Sequence, residues 1–139
     1  MTSLGVYLAG SGLEPGLLEL VKIRASQING CAYCIDMHTK DARAGGETEQ
    51  RIYALNAWRE TPFFTERERA ALAWTETVTR IGEGVSDAAY DAARGQFAEK
   101  QLVDLTWAIA AINAWNRIAI SFRSIPGVYQ PKAHPTESK

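Results

Sequence analysis

The stretch 26-SQINGCAYCIDMH-38 holds both cysteines of the chain and one of its two histidines. Cys31 and Cys34 are three residues apart, and His38 follows four residues later. Three explanations are open: a metal site, a redox pair, or packing residues that fell together. On a helix, at about 100° per residue, Cys34 lies about 60° from Cys31 and His38 about 20° from it. The three share one face, while Asp36, Lys40 and Arg43 point elsewhere. Cys34 and His38 are one turn apart, so the imidazole can reach the sulfur and take its proton. Gly30 immediately precedes Cys31, which puts the pair near the free N–H groups of a first helical turn, where a thiolate is favoured.

A structural zinc site needs four protein ligands as a rule. The local set supplies three, and the second histidine, His134, lies in a Pro-rich tail. Asp, Glu or water could complete the set, so metal stays open beside redox chemistry and packing, with the spacing favouring redox. His38 by itself reads as a core histidine. Glu19 by itself reads as a solvated charge, sharing a polar face with Lys22 and Ser26.

Outward from this stretch the punctuation is helical. Pro15 suits a first helical position, and Leu17, Leu20, Val21 and Ile28 carry a stripe to about Asn29. Gly30 interrupts, and a second helix is expected from Cys31 to about Ala44, stopped by Gly45 and Gly46. A third runs from about Thr48 to Trp58. Thr65 with Glu68 three residues on is a capping box that opens a helix to about Ile81. Ser86 caps another to about Phe97.

The last helix, Glu99 to about Arg123, is apolar on two sides. Leu102, Leu105, Ile109, Ile112 and Ala119 mark one stripe; Val103, Trp107, Ala110, Ala114 and Ile118 mark another. Such a helix is buried, either centrally or against another subunit. The tail from about 124 holds three of the five prolines and is expected to be irregular. Strand signals are weak. The expectation is an all-α fold of about six helices in one domain, 1–139, with a core over about 13–122.

With 139 residues, one core can bury roughly two thirds of the unfolded surface. The apolar fraction of 46% and charged fraction of 22% are those of a soluble globular protein. Net charge is −1 and no basic cluster stands out, which argues against nucleic acid and an anionic membrane surface. The N-terminal MTSLGVYLAGSG has neither a basic n-region nor a long apolar run, and no segment approaches the length of a membrane span. A cytoplasmic location follows as an expectation. There, a close cysteine pair is more often catalytic or metal-binding than a structural disulfide.

The pattern Glu19, eleven residues, Cys31, two residues, Cys34, three residues, His38 resembles the signature of the alkyl hydroperoxidase AhpD-like family, within the carboxymuconolactone decarboxylase superfamily. KIRASQINGCAYCIDMHTKDARAGGETEQRI resembles its core motif throughout; FTERERAALAWTETVT and FAEKQLVDLTWAIAAINAWNRIAI are further matches. The resemblance covers about residues 13–122 and fits a short, single-module member. It implies an all-helical fold that assembles as a trimer or hexamer.

It also implies a peroxidase that needs no metal or organic cofactor. Cys34 would be the peroxidatic thiol, His38 its base with Glu19 behind it, and Cys31 the resolving thiol. The substrate would be a small hydroperoxide, and a dithiol or protein reductant would recycle the pair. The best-known members carry histidine just before the second cysteine. Here it is Tyr33, a poor base at neutral pH that can still donate a hydrogen bond or pack. Asn113, Asn116 and Arg117 also lie in a family-like segment, but nothing in their spacing defines a reaction, and they read as structural. Competing readings are a redox-sensing or metal-binding helical oligomer without turnover and, last, a lactone decarboxylase, whose branch has no use for the cysteine pair.

Overall fold

The computed structural model describes residues 2–132. They form seven α-helices and no strand: α1 (Thr2–Ala9), α2 (Pro15–Asn29), α3 (Ala32–Ala44), α4 (Glu49–Ala54), α5 (Glu66–Thr79), α6 (Asp87–Arg94) and α7 (Glu99–Ser121). Two 3-10 turns, Leu55–Glu60 and Ile81–Glu83, follow α4 and α5. The all-α expectation holds, with one helix more than expected.

The additional helix is α1. Its eight residues have no acidic side chain in the first turn and include Gly5, so local signals are weak. Tertiary contacts hold it: Leu8 is buried in the core, and Tyr7 Oη donates to Asp104 Oδ1 of α7 at 2.7 Å.

The central helix is α2, which packs on α3, α5 and α7. Leu17, Leu18 and Val21 join a cluster with α5, α6 and α7, centred on Phe97, Leu105 and Ile109. Leu20 and Ile23 face the other way, into Ile52, Leu55, Trp58 and Leu72. A helix buried on both faces positions whatever it carries on its remaining edge, and that edge holds Glu19. Ser26, expected on a solvated face, is instead fully buried. Its hydroxyl donates to the Lys22 carbonyl at 2.7 Å and accepts from Asn116 Nδ2 at 3.0 Å.

The expected boundaries match closely where a cap or glycine sets them. Thr65 and Glu68 form the reciprocal capping box at α5, and the Ser86 hydroxyl accepts from the Ala89 N–H at 3.1 Å. Gly30 ends α2 in the left-handed region at φ +71°, where a side chain would be strained.

The helix expected from Cys31 starts one residue later, because Cys31 is its cap: the Cys34 N–H donates to Cys31 Sγ at 3.2 Å. The last helix is not central. One of its stripes is buried at Leu102, Leu105, Ile109, Ile112 and Ala119, while Val103, Trp107 and Ile118 are each half exposed. Burial of that second face therefore requires another molecule.

Arg24 of α2 reaches Glu76 of α5 in a buried ion pair, Nη2 to Oε1 at 3.0 Å. Trp58 Nε1 donates to the same oxygen at 3.1 Å, and Arg59 engages the other one. The knot locks the two central helices to the first 3-10 turn.

Beyond α7 the chain is irregular, as expected, yet it is fastened down. Residues 124–129 cross α3 as a strap. The Gly127 N–H donates to Asp36 Oδ2 at 3.0 Å, Lys40 Nζ donates to the Tyr129 carbonyl at 3.1 Å, and Tyr129 Oη donates to Asp41 Oδ1 at 2.7 Å. His134 lies outside the described residues.

Candidate active site

Cys31 and Cys34 are joined as a disulfide, with Cα atoms 5.3 Å apart, within the ordinary span for such a bond. The joint between α2 and α3 makes this possible. The Cys31 N–H donates to the Ser26 carbonyl at 3.0 Å across Gly30, so the chain reverses at the glycine and delivers Cys31 straight to the cap position. Cys34 sits one turn into α3 on the same side. Both residues are buried, Cys31 at 1% exposure and Cys34 at 4%.

Cys34 and His38 line one cavity of about 590 Å³. Its other walls are mostly apolar: Tyr33 and Met37 of α3, Trp115 and Ile118 of α7, and Ile125 of the strap. His38 also faces α2, where its Nδ1 lies 3.3 Å from Glu19 Oε2. This is an ion-pair distance without the alignment of a hydrogen bond, and neither atom has another partner. Glu19 Oε1 accepts from Lys22 Nζ at 3.1 Å. Burial pushes the Glu19 carboxyl upward, but the adjacent His38 and Lys22 outweigh it and hold the group below the usual carboxylate value. Glu19 is thus an anion at neutral pH, placed at the Nδ1 edge of the imidazole while Cys34 shares a cavity with the ring.

Cys31, Cys34 and His38, singled out by spacing, and Glu19, singled out by the family resemblance, therefore meet at one place. Tyr33 lies on the cavity wall. Cysteines bonded to each other offer no thiolate to a metal, so Cys31, Cys34 and His38 are not a ligand set in this state. Asn113, Asn116 and Arg117 lie apart from the cavity lining. Asn29 Nδ2 donates to Asn113 Oδ1 at 2.9 Å and to Asn116 Oδ1 at 2.8 Å, tying α2 to α7. Arg117 Nη1 bonds back to the Asn113 carbonyl at 3.0 Å.

Asp41 is a site residue that spacing alone did not single out. Donor atoms of Glu19, His38 and Asp41 all lie within 4.8 Å of one another. The signal was present, since Asp41 follows His38 by three residues on one helix face. Its partner Tyr129 had no local signal, being 88 residues away. The Asp41 hydrogen bond, then burial, pushes the Tyr129 phenol up to about 12. Tyr129 is thus a donor throughout the physiological range.

No helix among the described residues is long and apolar enough to cross a membrane. Residues 2–77 match the carboxymuconolactone decarboxylase family. An uncharacterised protein of Bacillus subtilis (strain 168), YdfG, is 49% identical over 122 residues, which is 87% of this chain and 83% of that one. A crystal structure from Agrobacterium tumefaciens is 48% identical with a TM-score of 0.88, covering 92% of this chain and 88% of that one. That protein is of unknown function and carries a provisional label as an antioxidant defence protein AhpD. The debrominase Bmp8 shares the fold at a TM-score of 0.82 and 19% identity, over 91% of this chain and 68% of its own. With a helical fold, a C-x-x-C disulfide and these likenesses together, the chain belongs to the carboxymuconolactone decarboxylase family, in its AhpD-like branch.

Proposed function

We propose that the protein is an enzyme of thiol redox chemistry, a peroxidase that reduces alkyl hydroperoxides through Cys34 and Cys31. The observation that carries this reading is the disulfide at the start of α3, opening through Cys34 onto the cavity that His38 shares. A pair that already forms the bond is the oxidised end of such a cycle.

In the reduced protein, His38 takes the Cys34 proton, and Glu19 keeps the ring oriented from its Nδ1 side. The thiolate attacks the distal oxygen of R–O–O–H, the O–O bond breaks, and the departing alkoxide receives the proton from His38. The products are R–OH and the Cys34 sulfenic acid. The Cys31 thiol displaces water from that sulfenic acid and the disulfide forms. A dithiol then attacks the disulfide, passes two electrons to the pair and leaves as its own disulfide. Tyr33 stands on the cavity wall, where its hydroxyl can donate to the peroxide. The apolar remainder of the wall suits an alkyl group better than a charged one.

The cycle needs a supply of reductant, which assigns it to a reducing compartment, the cytoplasm. The exposed apolar face of α7 supports a homo-oligomer, trimer or hexamer, in which Trp107 and Ile118 are covered. Consumption of tert-butyl hydroperoxide by the reduced protein with excess dithiol tests the reading. A single equivalent consumed, leaving the disulfide, would indicate a redox sensor instead.

A further inference from the structure

Two carboxylates flank one imidazole. Glu19 faces His38 Nδ1 at 3.3 Å, and Asp41 brings an oxygen within 4.8 Å of both His38 and Glu19. Only one can be the partner of that nitrogen. Asp41 is turned aside, with its Oδ1 accepting from Tyr129 Oη at 2.7 Å. Tyr129 is brought there by a strap with its own fastenings. Asp36 accepts from the Gly127 N–H at 3.0 Å, and Lys40 donates to the Tyr129 carbonyl at 3.1 Å. Gly127 makes the bend at φ +108°, a conformation that disfavours any side chain.

We propose that Tyr129 is a positioning residue, which holds Asp41 off His38 so that Glu19 alone backs the imidazole; this rests on the acid–base role given to His38 above. Without the phenol, Asp41 Oδ1 loses its donor, and the ring nitrogen nearby has no aligned partner of its own. A carboxylate that turns to it adds a second negative charge beside the ring. That makes the imidazole more basic and favours the Cys34 thiolate–imidazolium pair.

The other groups at the cluster do not offset this. Glu19 and Lys22 face it from α2, already paired to each other, and Tyr33 and Cys34 flank His38 on α3. Glu47, Arg51 and Lys132 line the cavity outside Asp41. Among the described residues, α1 and α7 present only uncharged ones to the Glu19–His38 cavity.

The test is the pH dependence of Cys34 alkylation by iodoacetamide in reduced protein carrying Cys31→Ser, so that Cys34 is the single thiol. Tyr129→Phe is expected to move the half-maximal rate to lower pH by about half a unit or more. Adding Asp41→Asn is expected to return the profile to that of the parent. An unmoved profile in Tyr129→Phe overturns the proposal. So does a shift that persists in the double variant, which would mean that the phenol acts through packing. If His38→Gln leaves the parent profile unmoved, the base role of His38 fails, and the proposal with it. Alkylation consumes no peroxide, so a failure of peroxidase turnover is read separately.

Discussion

Glu19 Oε2 lies 3.3 Å from His38 Nδ1, across the interface of α2 and α3, and nothing else partners either atom. A carboxylate in that position holds the ring with Nδ1 toward α2 and frees the other nitrogen for proton transfer. Glu19→Gln keeps the shape and removes the charge. The expected result is a loss of about tenfold or more in peroxide turnover with an unchanged helical spectrum. Because the Glu19 carboxyl sits below its ordinary value of 4.5, its contribution persists above that pH and fades as the pH falls through the folded value. Pre-steady-state rates across pH would show the deficit of the variant shrinking toward acid.

The proposed cycle gives the two cysteines separable roles. Cys31→Ser is expected to permit one turnover and to leave a sulfenic acid at Cys34, which a dimedone-type probe labels and mass spectrometry locates. Label at position 31 in a Cys34→Ser protein that still consumes peroxide would reverse the roles.

The buried Arg24–Glu76 pair is expected to dominate the stability of the α2–α5 contact. Glu76→Gln leaves Arg24 without its counter-charge and should cost about 3 kcal/mol or more in urea unfolding at pH 7. Burial raises the Glu76 carboxyl, but Arg59, Trp58 and Arg24 outweigh it and set it below its ordinary value of 4.5. The stabilisation is therefore complete above that pH and is lost as pH falls through the folded value. Wild type and variant should converge in acid.

Asn116 is fully buried between Ser26 and Asn29. Asn116→Ala strips both partners and should cost about 1–3 kcal/mol in the same unfolding measurement, with the cysteine chemistry unchanged.

Trp107 and Ile118 are 53% and 52% exposed on one face of α7. If that face is an oligomer contact, Ile118→Asp should lower the sedimentation coefficient to that of a monomer, because a desolvated carboxylate has no partner there.

Much of this arrangement was legible in the sequence for identifiable reasons. Helices α2, α3, α5 and α6 take their starts or ends from Pro15, Gly30, Thr65, Glu68 and Ser86, residues whose effect on the backbone is local. The meeting of Cys31, Cys34 and His38 follows from helical spacing within eight residues. Glu19 could be placed beside them only through the family resemblance, since no local rule links residues across the Gly30 joint. What stayed hidden was set by distant contacts. Helix α1 depends on Tyr7 reaching Asp104. Ser26 looked solvated because its partner Asn116 is 90 residues away. The strap, and with it the role of Asp41, depends on Tyr129, which no periodicity connects to α3.

The central claim is a catalytic cycle through Cys34, and a multiple-turnover assay tests it most directly. Freshly reduced, metal-free protein would be given tert-butyl hydroperoxide and excess dithiol, beside Cys34→Ser. The expected result is consumption of many equivalents of peroxide by the wild-type chain and none above background by the variant. Equal consumption by both proteins, or none by either, would contradict it.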